Sequence, residues 1–218
     1  MRSAAVFKAI ARFGIVLFAV SIPISHVPAQ FGIGIALLGW LGEGLVKKKW
    51  MFRWHPAFFP LIIYVLWNIL SAVLSERPSH SLSAILDNEW PLFIMLMLYW
   101  TIDEESFLKK VVMVFLSSAC VAVVYALWQV FSGVELYRHM PLDPMGSGLH
   151  RAVGFYSFYL TFAGLAMVSF FLSLSLTFEL KKWHFVALSV LSFLAVIGSF
   201  ARSIWLAFAL GIPVFAFT

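Results

Sequence analysis

The chain has 218 residues, of which 62% are hydrophobic and only 11% charged, with a formal net charge of +5 and a mean hydropathy of +0.96. A chain this size cannot hide so much apolar surface in a soluble core, so a soluble enzyme, a disordered segment and a disulfide scaffold are excluded. The basic residues fall in short clusters between apolar runs, the pattern of membrane orientation and not of a nucleic-acid-binding face.

A helix crosses a bilayer core of roughly 30 Å with about 20 apolar residues. On that measure eight spans are predicted, giving an all-α, polytopic transmembrane bundle. The first runs Ala4–Ile24, with Lys8 and Arg12 placed to snorkel to the near interface. A Pro-containing turn over Ser25–Gln30 leads to the second, Phe31–Val46, and then to a basic loop with Lys47, Lys48, Lys49 and Arg53. Ala57–Leu74 is the third span, and Ser75–His80 a polar turn around Pro78. Ser81–Glu89 reads as the interfacial opening of a fourth span that runs to Trp100. After the charged stretch Thr101–Lys110, Val111–Phe131 crosses again. Ser132–Arg151, with three glycines and two prolines, is the one substantial loop. Ala152–Leu176, Phe185–Phe200 and Ser203–Phe217 complete the eight. The opening span, with a small-residue site near Val27-Pro28-Ala29, also has the form of a signal peptide; its length and the span directly after it favour a retained helix.

With the N-terminus in the cytoplasm, the inner segments hold Arg2, Lys8, Arg12, Lys47, Lys48, Lys49, Arg53, Lys109, Lys110, Lys181 and Lys182, which is 11 of the 15 basic residues and every lysine. The outer segments hold Arg77, Arg138, Arg151 and Arg202 alone. This asymmetry obeys the positive-inside rule. Arginine is also the residue that forks onto phosphate or carboxylate.

Arg202, in SFARSIW between two apolar runs, either clamps the phosphates of a lipid-linked donor or snorkels to headgroups. The loop gathers Glu135, Arg138, His139, Asp143, His150 and Arg151. Glu135 and Asp143 read as solvated loop carboxylates, and a metal held by His139, Asp143 and His150 is disfavoured by Pro141 and the thin ligand set. Arg151 opens a span directly and is better placed than Arg138 to face a membrane cavity. Arg77 is expected to pair with Asp87 or Glu89, Glu43 with Lys47 at i,i+4, and Asn68 and Gln129 to bond between helices. The lone Cys120 reads as a small core residue. No phosphate-loop, nucleophile-elbow or zinc-hydrolase motif is present.

Four stretches carry a family likeness: FAVSIPIS, NEWPLFIMLMLYW, RAVGFYSFYLTFAG and IGSFARSIWLAFALGI. Together they resemble the O-antigen ligase and polymerase family of membrane glycosyltransferases, and Arg202 matches the arginine of that family's Ser-Arg-Gly segment, with Ser203 in the place of its glycine. The resemblance implies a multi-pass protein of the bacterial inner membrane. It takes a glycan from undecaprenyl diphosphate at the outer leaflet and passes it to lipid A–core, with no metal, nucleotide or other cofactor. On this likeness Arg202 and Arg151 are the expected donor-diphosphate ligands, Arg202→Lys is expected to be severe, and the partners are the lipid-linked glycan, the acceptor and membrane lipids, with no nucleic acid. The whole 1–218 reads as one transmembrane domain, the N-terminal part of a protein about twice as long. The candidate catalytic histidine of the family has no counterpart here, so no catalytic residue is assigned and the 218 residues alone are expected to lack transferase activity. A surface-polysaccharide polymerase of the same family, and a transporter or export permease, are the alternatives.

Overall fold

The fold is described from a computed structural model, which covers residues 2–48, 54, 56, 58–89, 99–102 and 104–216. It is helical with almost no sheet. Helices α1 (Arg2–Ser21), α2 (His26–Lys47), α3 (Phe58–Val73), α4 (Pro78–Glu89) and α5 (Glu105–Ser132) precede four short strands. Strands β1 (Val134–Glu135), β2 (Met140–Pro141), β3 (Pro144–Gly146) and β4 (Leu149–His150) are followed by α6 (Tyr159–Leu180), α7 (Trp183–Gly198) and α8 (Arg202–Ala216). Among the described residues four helices, α1, α2, α5 and α6, are long and apolar enough to cross a membrane, while α3, α7 and α8 are shorter apolar helices. At about 1.5 Å per residue, a 16-residue helix such as α7 reaches about 24 Å, short of the hydrocarbon thickness.

Several boundaries differ from the sequence expectation for local reasons. The first turn is Ile22–Ser25, around Pro23, and His26–Gln30 is already helix. Pro28 sits in the first turn of α2, where the N–H it lacks would have no partner. Likewise Pro78 opens α4 in place of sitting in a turn, with Ser75 Oγ hydrogen-bonded to Ser81 Oγ across the corner at 2.8 Å. The sixth expected span begins at Tyr159, not Ala152; residues 151–158 are ordered loop. The body of the fourth expected span, Lys49, Arg53, and the side chains of Asp87 and Glu89 with the expected Arg77 pairing lie outside the described residues.

The chain divides into two compact units, residues 1–16 with 31–108 and residues 17–30 with 109–218. In the first, α1 and α2 meet backbone to backbone. A Cβ placed on Gly39 would lie 2.3 Å from Ala11 N, and one on Gly14 would lie 2.4 Å from Ala36 N. Where lipid is the solvent, such small-residue seams hold helices together through close packing. Gly39→Ala is therefore expected to destabilise this unit by about 1–3 kcal/mol through overpacking, read as a lowered melting temperature in detergent. Lys8 and Arg12 turn onto Glu104 at 3.6 and 2.6 Å, with the Arg12 guanidinium 4.9 Å above the Phe107 ring. Lys47 pairs with the buried Glu43 as its spacing predicts. On α3, Phe59, Leu66 and Trp67 are exposed, an outward apolar face of the kind lipid covers.

In the second unit, α5 to α8 run up and down. The Ser173–Ser189 hydroxyl bond of 2.8 Å ties α6 to an antiparallel α7. The Phe170, Phe193 and Phe208 rings join α6, α7 and α8. The core is built on Val123, Ala126, Phe162, Ala166, Ala195 and Val196, alanines alternating with larger side chains so that backbones approach closely. One end of this unit carries Lys109, Lys110, Lys181 and Lys182, with Lys109 Nζ 3.4 Å from Glu179. The other end carries the residue 133–158 loop, the α7–α8 corner and the Ile22–Ser25 turn, and its fixed cations are Arg138, Arg151 and Arg202, without a lysine.

Candidate functional site

The loop at the arginine end owes its shape to a few local devices. Strands β1 and β2 pair antiparallel, as do β3 and β4. The second hairpin turns on Ser147 and Gly148, both at positive φ, the backbone that twisted two-residue turns require. Gly133 is also at positive φ, and a Cβ there would meet the His150 ring at 2.7 Å. Helix α5 then fastens the loop with two polar side chains one turn apart. Tyr125 Oη accepts from Leu136 N at 2.9 Å, and the Tyr125 ring stacks on Phe155. Gln129, 0% exposed, accepts from Val153 N and Gly154 N at 3.1 and 2.8 Å and donates to Gly154 O at 2.9 Å. The amide thus bonds to loop backbone, not to a neighbouring helix as expected. Ala152 N donates to Gly198 O at 3.0 Å, joining the loop to the α7–α8 corner.

A cleft of about 620 Å³ opens in this loop, walled among others by Glu135, Arg138, Asp143, Arg151, Ser157 and Tyr159. Arg151 is held on three sides. Its Nη1 lies 3.3 Å from Asp143 Oδ2, its Nη2 3.5 Å from Met145 Sδ, and its guanidinium 4.3 Å above the Tyr159 ring. Its Nε is buried with no hydrogen-bond partner among the described residues. Asp143 is a solvated carboxylate, as the sequence suggests, at 71% side-chain exposure, but it also orients Arg151. Glu135 corrects the expectation: it is 3% exposed, in the wall of the cleft, with Arg138 Nη1 3.6 Å from its Oε1. Nothing in its local sequence marks it as buried, because the cleft wall it belongs to is completed by residues up to 24 positions downstream.

A second cleft of about 450 Å³ adjoins the first, sharing Arg138 and Ser157 and adding His26, Tyr137, Phe155 and Tyr156. Tyr156 donates to Ile22 O, its ring lies 4.8 Å from that of His26, and burial pushes its phenol up to about 12. The native fold therefore binds this proton more tightly than the unfolded chain, whose tyrosine titrates near 10. The stability it contributes is complete below pH 10 and drains away as pH rises from 10 through 12. Melting curves in detergent at pH 9 to 12 are expected to show this alkaline loss in the wild type and not in Tyr156→Phe.

The two arginines singled out by sequence stand differently. Arg151 lines the first cleft. Arg202 opens α8 at the same end of the unit, exposed, with no partner among the described residues and outside the walls of both clefts. The corner before it is rigid. Ser199 Oγ donates to Val196 O at 2.6 Å and accepts from Ala201 N, and Trp205 Nε1 donates to Val196 O at 2.9 Å. Arg138, Glu135 and Tyr159 are the cleft residues that sequence reading ranked low or passed over. Among the described residues no three His, Cys, Asp or Glu side chains gather as a metal site, and His139, Asp143 and His150 do not form one. Comparison with protein-family models, with curated proteins and with solved structures finds no match.

Proposed function

We propose that this chain is the donor-binding, N-terminal part of a glycosyltransferase resembling O-antigen ligases. It lies multi-pass in a bacterial inner membrane, with its N-terminus and lysine-bearing end in the cytoplasm, about eight spans, and its arginine-bearing loop in the periplasm. Its donor is a glycan on undecaprenyl diphosphate, and its acceptor is lipid A–core. The observation that carries this reading is the cleft at the lysine-free end, where Arg138 and a pre-oriented Arg151 face one space. Two guanidiniums, that of Arg151 held in place, supply forked donors to a diphosphate, and they stabilise the charge that develops on it as the glycosidic bond to the carrier breaks. Arg202, at the first turn of α8, adds a third guanidinium at the same end for an incoming carrier.

The reading predicts saturable binding of undecaprenyl diphosphate to the purified chain in micelles. The affinity should fall as salt rises, and inorganic pyrophosphate should compete. It also predicts that a cysteine introduced at Ser147 in a Cys120→Ser background is labelled by an impermeant maleimide from the periplasmic side. Absence of binding, or labelling from the cytoplasm alone, refutes it.

A further inference from the structure

Two residues in the wall of this cleft each carry an unmet buried group: the donor Arg151 Nε and the acceptor Glu135 Oε1, neither with a hydrogen-bond partner among the described residues. Native proteins seldom leave such groups unpaired, and each costs on the order of a few kcal/mol when sealed from water. Both residues belong to the wall of one space of about 620 Å³. A simple anion satisfies the first and repels the second. A cation satisfies the second but meets the guanidiniums of Arg138 and Arg151. The chemistry that suits both carries an anionic oxygen and a neutral O–H or N–H donor in one ligand.

We propose that Glu135 is a specificity-determining residue that accepts a hydrogen bond from a hydroxyl or amide of the sugar attached to the diphosphate, so that the cleft selects the glycosylated carrier over the bare one. This rests on the donor-binding reading above. Arg138 supports the role: at 3.6 Å from Glu135 Oε1 it faces the carboxylate but makes no hydrogen bond that would use up the oxygen. The neighbouring cleft, which shares Arg138 and Ser157, offers the Phe155 and Tyr137 rings to the apolar face of a sugar ring that continues past the junction.

The test compares two probes in detergent micelles, undecaprenyl diphosphate and undecaprenyl diphosphate bearing one N-acetylglucosamine. The wild-type chain is expected to bind the glycosylated probe about tenfold or more tighter, as one charge-assisted hydrogen bond allows. Glu135→Ala should lose most of that preference and the isosteric Glu135→Gln a clear part of it, since an amide oxygen accepts a weaker, uncharged bond, while both hold the bare carrier at least as tightly as the wild type because a carboxylate that repels the diphosphate is gone; Glu135→Gln keeps the shape of the side chain should Glu135→Ala fail to fold. Equal wild-type affinity for the two probes, or an undiminished preference in Glu135→Gln, overturns the role of Glu135 and leaves the donor-binding reading standing. Failure to bind either probe overturns both.

Discussion

Gln129→Leu is expected to be the most destabilising single change in the second unit, costing on the order of 3–5 kcal/mol. Leucine fills the space but removes three hydrogen bonds; it strands Gly154 N and Gly154 O out of reach of water and leaves the half-buried Val153 N without its partner. The backbone at Gly154 holds positive φ and lies so close to Phe162 that a Cβ there would meet its ring at 2.5 Å, which leaves no room for a replacement water or side chain on that side. The loop between Arg151 and Tyr159 should therefore lift from α5. Three results are expected together: a melting temperature several degrees lower, early proteolysis between residues 151 and 158, and loss of diphosphate binding. Gln129→Glu is a sharper probe. Its carboxyl must either keep a proton to donate to Gly154 O or place an uncompensated charge against that carbonyl in a buried site, so its destabilisation should grow as pH rises. A leucine variant with wild-type melting and an uncleaved loop would show that the amide does not anchor the segment.

Arg151→Lys is expected to weaken undecaprenyl diphosphate binding by about tenfold to a hundredfold while leaving the fold intact. Charge is conserved in this change, so simple attraction cannot account for such a loss. What disappears is geometry: an ammonium has no planar fork, does not stack on Tyr159 as a guanidinium does, and cannot bond Asp143 while presenting a fixed second donor to the ligand. Arg202→Lys should cost less in binding. Arg202 is exposed and unrestrained, so its contribution already includes the entropy of ordering a long side chain, a cost that lysine shares. Asp143→Asn should mimic part of the Arg151→Lys loss, because the orienting carboxylate and not the cation is weakened. The binding isotherms of the three variants, measured at one salt concentration, decide this order. Arg151→Lys binding as tightly as wild type would remove Arg151 from the site.

Class and pattern were legible in the sequence. Apolar run length found α1, α2, α5 and α6, since the composition of a span is a local property, though α2, α5 and α6 open five to seven residues from where their apolar runs begin. The i,i+4 spacing of Glu43 and Lys47 gave their ion pair, again because one helix contains both partners. Boundaries at proline were misjudged for an equally local reason. Pro28 and Pro78 can begin a helix as readily as they can sit in a turn, and which they do depends on the residues the preceding segment packs against.

The sequence by itself determined that this chain is helical, built for lipid, and divided in charge between lysine-bearing and arginine-only segments, because hydropathy and charge are sums over neighbours along the chain. Only the tertiary structure decided which of those arginines shares a space with which carboxylate. Glu135 is buried in one cleft wall with Arg151, the Gln129 amide carries the loop onto α5, and Tyr159 comes under the Arg151 guanidinium. Each of these joins residues 5 to 25 positions apart or more across a non-helical loop, where no fixed period relates spacing in sequence to distance in space.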